Sequence, residues 1–197
     1  PMPGNVCEFF FAGVFVGECL GASVATAGDV NGDGYSDVIA GAPLNDAGGA
    51  NAGRSYIFFG GSNMNNTPDF SRSGEAANDQ YGLPVSNAGD MNGDGYSDII
   101  VGAIANDAGG TNAGRAYLYL NSMTGIDIAD EIFQGVAAGD LFGNSISGGN
   151  DINGDGYEDL IVGAYTNDTV KTGRTYVYFG GIIQDNIADM TITGAAA

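Results

Sequence analysis

Three unbroken apolar runs punctuate the chain: DVIAGAP at 37–43, DIIVGA at 98–103 and DLIVGA at 159–164. An alternating run has one wet face, whereas a continuous one belongs to a strand covered on both sides. Each run is preceded by a strand of small residues, typified by LGASVATAG at 20–28. After each comes a loop rich in Gly, Asn and Asp, NDAGGANAG at 45–53, NDAGGTNAG at 106–114 and the shorter NDTVKTG at 167–173. The third strand is aromatic and β-branched: RSYIFFGG at 54–61, RAYLYLN at 115–121 and RTYVYFGG at 174–181. A DxxxxG segment closes each unit, as DFSRSG at 69–74, DEIFQG at 130–135 and DMTITG at 189–194, and EFFFAG at 8–13 duplicates that slot.

The pattern predicts an all-β chain made of one repeat array over 1–197, with units at about 14–74, 75–135 and 136–194. A turn-rich arm, PMPGNVC, and the duplicated strand precede them over 1–13. Four short strands per unit, apolar on both faces and joined by glycine-rich turns, describe a β-propeller blade. A β-solenoid coil is usually shorter than this period. Closed propellers need about four to eight blades, so three blades are either part of a longer protein or are completed by other copies.

Between the first and second strand of every unit lies an acidic loop: GDVNGDGYSD at 28–37, GDMNGDGYSD at 89–98 and NDINGDGYED at 150–159. The leading aspartates, Asp29, Asp90 and Asp151, are spaced 61 residues apart both times. Written D-x-N-x-D-G-Y-x-D, the loop offers side-chain oxygens at Asp29, Asn31 and Asp33, at Asp90, Asn92 and Asp94, and at Asp151, Asn153 and Asp155. The glycine that follows permits the chain reversal. Tyr35, Tyr96 and Tyr157 would ligate through their backbone carbonyls, and Asp37, Asp98 and Asp159 would close the shell. The first half of an EF-hand loop has this layout, but the twelfth position holds Ala40, Val101 or Val162 and strands flank the loop, which excludes an EF-hand. An all-oxygen donor set without histidine selects a hard cation, and a dense protein cage suits Ca²⁺ better than Mg²⁺. Three Ca²⁺ ions are expected. The competing reading is a solvated polar turn, which three copies in register make the weaker one.

The acidic loop followed by D-[VIL]-I-x-G-A resembles the FG-GAP repeat, the Ca²⁺-binding blade of integrin α-subunit propellers and of many microbial extracellular proteins. The dipeptide of that repeat stands here as Leu20-Gly21, Tyr81-Gly82 and Phe142-Gly143, and its tripeptide as Gly41-Ala42-Pro43, Gly102-Ala103-Ile104 and Gly163-Ala164-Tyr165. The resemblance implies a non-enzymatic extracellular or cell-surface module whose propeller presents a surface for adhesion to a protein or glycan. From the residues themselves comes an alternative, a structural subunit whose open sheets recruit other copies, with strand 8–13 entering another copy's last blade. A polysaccharide-active enzyme is a second alternative, which related propellers suggest.

Charge narrows the partners. With 24 acidic against 5 basic residues the formal net charge is −19, which argues against nucleic acid and anionic membranes, and three Ca²⁺ would bring it only to −13. The longest apolar run, FFFAGVFVG at 9–17, is about half the length of a membrane span and falls in the repeat register, so it reads as a strand. Cys7 and Cys19 are either one disulfide or two free thiols, and Asn65 and Asn167 head glycosylation acceptor patterns. Arg54, Arg115 and Arg174 share one repeat position. They read as structural pairs in which the guanidinium bridges loop carbonyls or a carboxylate, with Asp46, Asp107 and Asp168 as candidates, in preference to an anion or sugar-acid site. No nucleophile–base spacing stands out. Because each acidic loop joins the first and second strands of one blade, a bound ion is expected to act as a staple within the scaffold.

Overall fold

The computed structural model describes residues 17–121, 129–165, 172–182 and 185–195. The arm, strand 8–13, Cys7 and the Asn167 acceptor site lie outside them.

Twelve strands form three four-stranded antiparallel sheets, each taken from consecutive strands. The first holds β1 (Ser23–Gly28), β2 (Asp37–Ala42), β3 (Arg54–Phe58) and β4 (Phe70–Ser73). The second holds β5 (Tyr81–Gly89), β6 (Asp98–Ala103), β7 (Arg115–Tyr119) and β8 (Glu131–Gln134). The third holds β9 (Phe142–Asn150), β10 (Asp159–Ala164), β11 (Arg174–Tyr178) and β12 (Met190–Thr193). These are propeller blades. The continuous apolar runs become the second strand of each sheet, and β6 is buried along its whole length. The first strand begins later than the sequence suggests in blade one, at Ser23 and not Leu20, because Leu20-Gly21 belongs to a seating segment that precedes the ladder.

Adjacent blades share cores built from both faces of their strands. Ala27, Val30, Ile39 and Ile57 of blade one meet Tyr81, Val85, Ile99, Val101 and Tyr117 of blade two. On the other side of blade two, Met91, Ile100, Leu118 and Phe133 meet Phe142, Leu160, Val162 and Tyr176 of blade three. A residue of β6 therefore contacts blade one or blade three according to its parity, and neither face is left for water. A tilted ring pair crosses the second seam, Phe133 of blade two with Tyr178 of blade three at 4.3 Å between centroids.

Each blade is anchored at its start by a buried acid. Glu18, Asp79 and Asp140 are 2%, 3% and 4% exposed and stand two residues before Leu20-Gly21, Tyr81-Gly82 and Phe142-Gly143. Asn45 Nδ2 donates to Glu18 Oε2 at 2.5 Å and Asn106 Nδ2 to Asp79 Oδ2 at 2.8 Å, so the first Asn of the Gly-rich loop is tied to the same blade's first residues. Tyr56 OH adds a 2.8 Å bond to Glu18, and burial together with that carboxylate holds the phenol far above its usual range. Burial likewise raises Asp79 above the ordinary carboxylate range, against the pull of its bonds from Asn106 and from the Ala76 N–H.

The three arginines do occupy equivalent positions, but Arg54 and Arg115 have partners other than those expected. Asp46 and Asp107 accept the N–H of Asn51 at 2.8 Å and of Asn112 at 2.7 Å, capping their own loops. Arg115 instead pairs with Glu75 at 2.9 Å and binds Gln134 Oε1 through Nε at 3.1 Å and Nη2 at 2.9 Å. Arg174 approaches Asp140 at 3.9 Å, and Arg54 donates to Ser71 at 2.5 Å while lying 5.5 Å from the centre of the Tyr56 ring. Asp168 falls outside the described residues.

Candidate metal centres

The acidic loops connect β1 to β2, β5 to β6 and β9 to β10, and all three fold alike. In the first, the Asp33 N–H donates both to Asp29 Oδ1 at 3.0 Å and to Asn31 Oδ1 at 2.9 Å. Asp29 Oδ2 accepts the Gly34 N–H at 2.8 Å, Asp33 Oδ1 accepts the Tyr35 N–H at 2.9 Å, and Asn31 Nδ2 reaches Asp33 Oδ2 at 3.2 Å. One amide shared between two side-chain oxygens places those oxygens side by side. The turn thus gathers positions one, three and five around its own axis.

The second loop repeats these bonds. Asp94 N–H meets Asp90 Oδ1 at 3.0 Å and Asn92 Oδ1 at 2.9 Å, Gly95 N–H meets Asp90 Oδ2 at 2.9 Å, and Tyr96 N–H meets Asp94 Oδ1 at 3.0 Å. In the third, Asp155 N–H meets Asp151 Oδ1 at 3.2 Å and Asn153 Oδ1 at 2.9 Å, and Tyr157 N–H meets Asp155 Oδ1 at 2.9 Å. The N–H groups of Gly156 and Gly154 hold the exposed Asp151 carboxyl below its usual range.

The ninth-position aspartates are set apart from this cluster by burial. Asp37, Asp98 and Asp159 are 0%, 0% and 1% exposed. Asp37 Oδ2 accepts the Val30 N–H at 2.9 Å and its Oδ1 the Gly60 N–H at 2.7 Å, which locks the loop to the end of the third strand. Asp98 does the same with Met91 at 2.8 Å and Asn121 at 2.9 Å, and Asp159 with Ile152 at 2.7 Å and Gly180 at 2.9 Å. Burial pushes the Asp98 carboxyl up to about 8, with the charges of Asp94 and Asp90 acting in the same direction and the two N–H bonds opposing them. Asp37 is raised by burial too, with smaller pushes from Asp33 and Asp29. Among the described residues, no three acidic, thiol or imidazole side chains converge as a ready-made cage. What the loops gather is a mixed set of carboxylate and amide oxygens over a buried carboxylate.

That donor set fits a hard cation. It is all oxygen, it carries net negative charge, and each carboxylate oxygen that accepts one N–H keeps a second lone pair.

The loops also bind one another across the seams, which a single repeat unit could not reveal. Asp29 N–H donates to Ser97 Oγ at 3.0 Å while Ser97 N–H donates to Asp29 O at 3.0 Å. One blade on, Asp90 N–H donates to Glu158 Oε2 at 2.7 Å. The eighth loop position, Ser36, Ser97 or Glu158, is polar in every copy, and that regularity is the signal for this contact. The first loop is thus braced by the second and the second by the third.

The FG-GAP repeat family model matches residues 20–58, 85–119 and 142–178. Relatives include Integrin alpha-PS2 of Drosophila melanogaster, 36% identical over 182 residues, covering 84% of this chain and 13% of that protein. Integrin alpha-5 of Xenopus laevis is 33% identical over 193 residues, covering 93% of this chain and 18% of its own length. Integrin alpha-IIb of Mus musculus is 34% identical over 182 residues, covering 86% and 17%. The chain therefore spans less than a fifth of these curated relatives. Three matched repeats and three sheets of four strands place it without ambiguity: the chain belongs to the FG-GAP repeat family.

Proposed function

We propose that the chain is a Ca²⁺-binding, non-enzymatic blade array that acts at the cell surface or outside the cell, presenting a rigid propeller surface to a protein or glycan ligand. The observation that supports it most directly is the shared amide in each acidic loop, which brings the oxygens of Asp29 and Asn31, of Asp90 and Asn92, and of Asp151 and Asn153 together. Asp33, Asp94 and Asp155 join them, the carbonyls of Tyr35, Tyr96 and Tyr157 supply backbone oxygen, and the buried Asp37, Asp98 and Asp159 complete the set. A bound Ca²⁺ supplies charge neutralisation and a rigid centre for the turn. Whatever binds at the ligand surface then meets loops that are already ordered, which lowers the entropic cost of recognition.

Adhesion is the role that the FG-GAP resemblance implies, and integrin α subunits of three animals match most of the chain. The array reads as one unit over 1–197, because neighbouring blades share cores and none buries both faces alone. Among the described residues no helix is long and apolar enough to cross a membrane. Exposed Asn65, whose Oδ1 accepts the Thr67 N–H at 2.7 Å, offers an accessible glycan acceptor consistent with an extracellular setting. Thermal unfolding of chelator-stripped protein with and without added Ca²⁺ tests the cation; a glycan and extracellular-matrix protein array, read in Ca²⁺ and again in chelator, tests the recognition. Binding that is unchanged by chelation would refute the coupling of the two.

A further inference from the structure

The two seams between described blades use the same repeat positions but differ in chemistry. At the second, Phe133 of blade two is 1% exposed, with its ring 4.3 Å from that of Tyr178 of blade three. Ala116, Phe142 and Tyr176 belong to the same core.

At the first seam four of the corresponding positions are polar. The 61-residue repeat sets Arg72 where the second seam has Phe133, Ser55 for Ala116, Tyr81 for Phe142 and Glu75 for Val136. Strand register agrees, since Arg72 pairs with Ser55 as Phe133 pairs with Ala116. Ser55 Oγ donates to Tyr81 OH at 3.4 Å, and Tyr81 OH shares a 2.7 Å bond with Tyr119 OH. Phe142 leaves the second seam no hydroxyl to satisfy at this place.

The first seam holds a cavity of about 200 Å³, walled by Arg72 of β4 and Glu75 just beyond it, and by Tyr117, Tyr119, Ala129 and Ile132 of blade two. Sites for drug-sized ligands run to about 300–1,000 Å³, so this one has room for a single ring. Tyr117 and Tyr119, 4% and 6% exposed, are rigid aromatic wall against which the C–H face of a ring can pack. Burial holds the Tyr119 phenol above its usual range, and Arg72 and Glu75 lie near enough to pull it in opposite directions. Glu75, half exposed, gives Oε2 to Arg115 Nη1 at 2.9 Å and keeps acceptor capacity for a ligand. Arg72 is a donor only.

These walls balance one charge of each sign, and a chain of net charge −19 repels an anion, so the cavity suits a neutral ligand. A hydroxyl both donates and accepts. Neighbouring hydroxyls on one ring therefore answer a carboxylate and a guanidinium together, which a plain aromatic ring cannot do.

We propose that the seam between blades one and two binds a single neutral pyranose, the end unit of a glycan, in this cavity. The inference rests on the recognition half of the proposed function, from which it selects the glycan, and it makes no use of the cation loops.

Ligand-observed NMR titration of neutral methyl pyranosides, with phenol as the competing probe, into the whole chain in Ca²⁺ tests it. At least one pyranoside should bind the wild type with a Kd on the order of 1 mM. The double variant Arg72→Phe, Glu75→Val installs the side chains that the same positions carry at the second seam. It should keep the wild-type circular dichroism and weaken that binding at least about tenfold. Arg72→Gln, which removes the guanidinium at a partly exposed position, should weaken it in the same sense and serves if the double variant fails to fold. A wild type that binds no pyranoside overturns the proposal, and if the array of glycans and matrix proteins still captures a ligand, the recognition reading survives that failure. Equal pyranoside binding by the wild type and the folded variants places the sugar elsewhere and overturns the proposal while leaving glycan recognition standing. Phenol binding in preference to every pyranoside makes the cavity a seat for an aromatic side chain and overturns it too.

Discussion

A Cβ on Gly32 would stand 2.5 Å from Cε1 of Tyr96, so the ring of the loop tyrosine of blade two abuts the loop glycine of blade one. The pair recurs between Gly93 and Tyr157, with 2.7 Å to Cε1. Gly32 has φ +75° and Gly93 the same, so each glycine is required twice, for its backbone conformation and for the ring packed against it. Gly32→Ala is expected to cost at least about 1–2 kcal/mol from the left-handed backbone alone. Displacement of the Tyr96 ring adds to that. Urea denaturation of the variant against Gly154→Ala separates the two contributions, since Gly154 has φ +82° and no neighbour within 4 Å. Equal losses at the two glycines would show that the ring contact contributes nothing.

Seam cores should dominate stability. Leu118 is 0% exposed between blades two and three, and Leu118→Ala is expected to cost about 2–5 kcal/mol. Ile187, 70% exposed, should tolerate alanine within about 0.5 kcal/mol. Chemical denaturation of the two variants checks this, and similar losses at both would contradict the blade-on-blade packing.

Arg115 was expected to matter mainly to structure, and its observed partners set the size of the effect. The pair with Glu75 is partly solvated, with side chains 21% and 50% exposed, so screening leaves it worth about 0–1 kcal/mol. Lysine cannot reproduce the two-pronged contact with Gln134 Oε1. Arg115→Lys should therefore lower the melting temperature slightly. A melting temperature equal to that of the wild type would show that the fork is dispensable.

Burial raises the Asp79 carboxyl in the folded state above its ordinary value of 3.8. The stability this group contributes is then fully present below that value and is lost as pH rises through the raised folded one. Asp79→Asn removes the dependence. The melting temperature of the wild type relative to the variant should increase as pH falls from 7 toward 4, and a constant difference would refute the assignment.

Much of this molecule was legible in its sequence, and what escaped had a common cause. The runs beginning at Asp37, Asp98 and Asp159 are β2, β6 and β10 because unbroken Val, Ile and Leu leave no wet face for such a strand. The oxygens at Asp29, Asn31 and Asp33 converge because Gly32 and Gly34 let one short turn reverse around them. A repeat unit read alone does not say what its neighbour contributes. Hence the bonds from Asp29 to Ser97 and from Asp90 to Glu158, the partner of Arg115 and the seating of Tyr81-Gly82 emerged only with the blades side by side. Buried Glu18, Asp79 and Asp140 escaped for a different reason: an acid flanked by loop residues reads as solvent-facing until the Asn that satisfies it is brought 27 positions back, as Asn106 is to Asp79.

Substitution within a loop links the cation to the seam. Asp33→Ala removes an oxygen from the cluster and the acceptor of the Tyr35 N–H, while Asp94→Ala does so in a loop braced from both sides. Each variant should lose one cation site, and Asp94→Ala should also loosen both neighbouring blades, seen as faster amide exchange across β1, β5 and β9. Exchange confined to blade two would contradict the bracing.

Calorimetric titration of Ca²⁺ into chelator-stripped protein is the most direct test. Three sites are expected to fill, one for each of the Asp29, Asp90 and Asp151 loops, with a rise in melting temperature that saturates at the same stoichiometry. A titration with no binding heat and an unchanged melting temperature would reduce the three loops to solvated turns and contradict their role as metal centres.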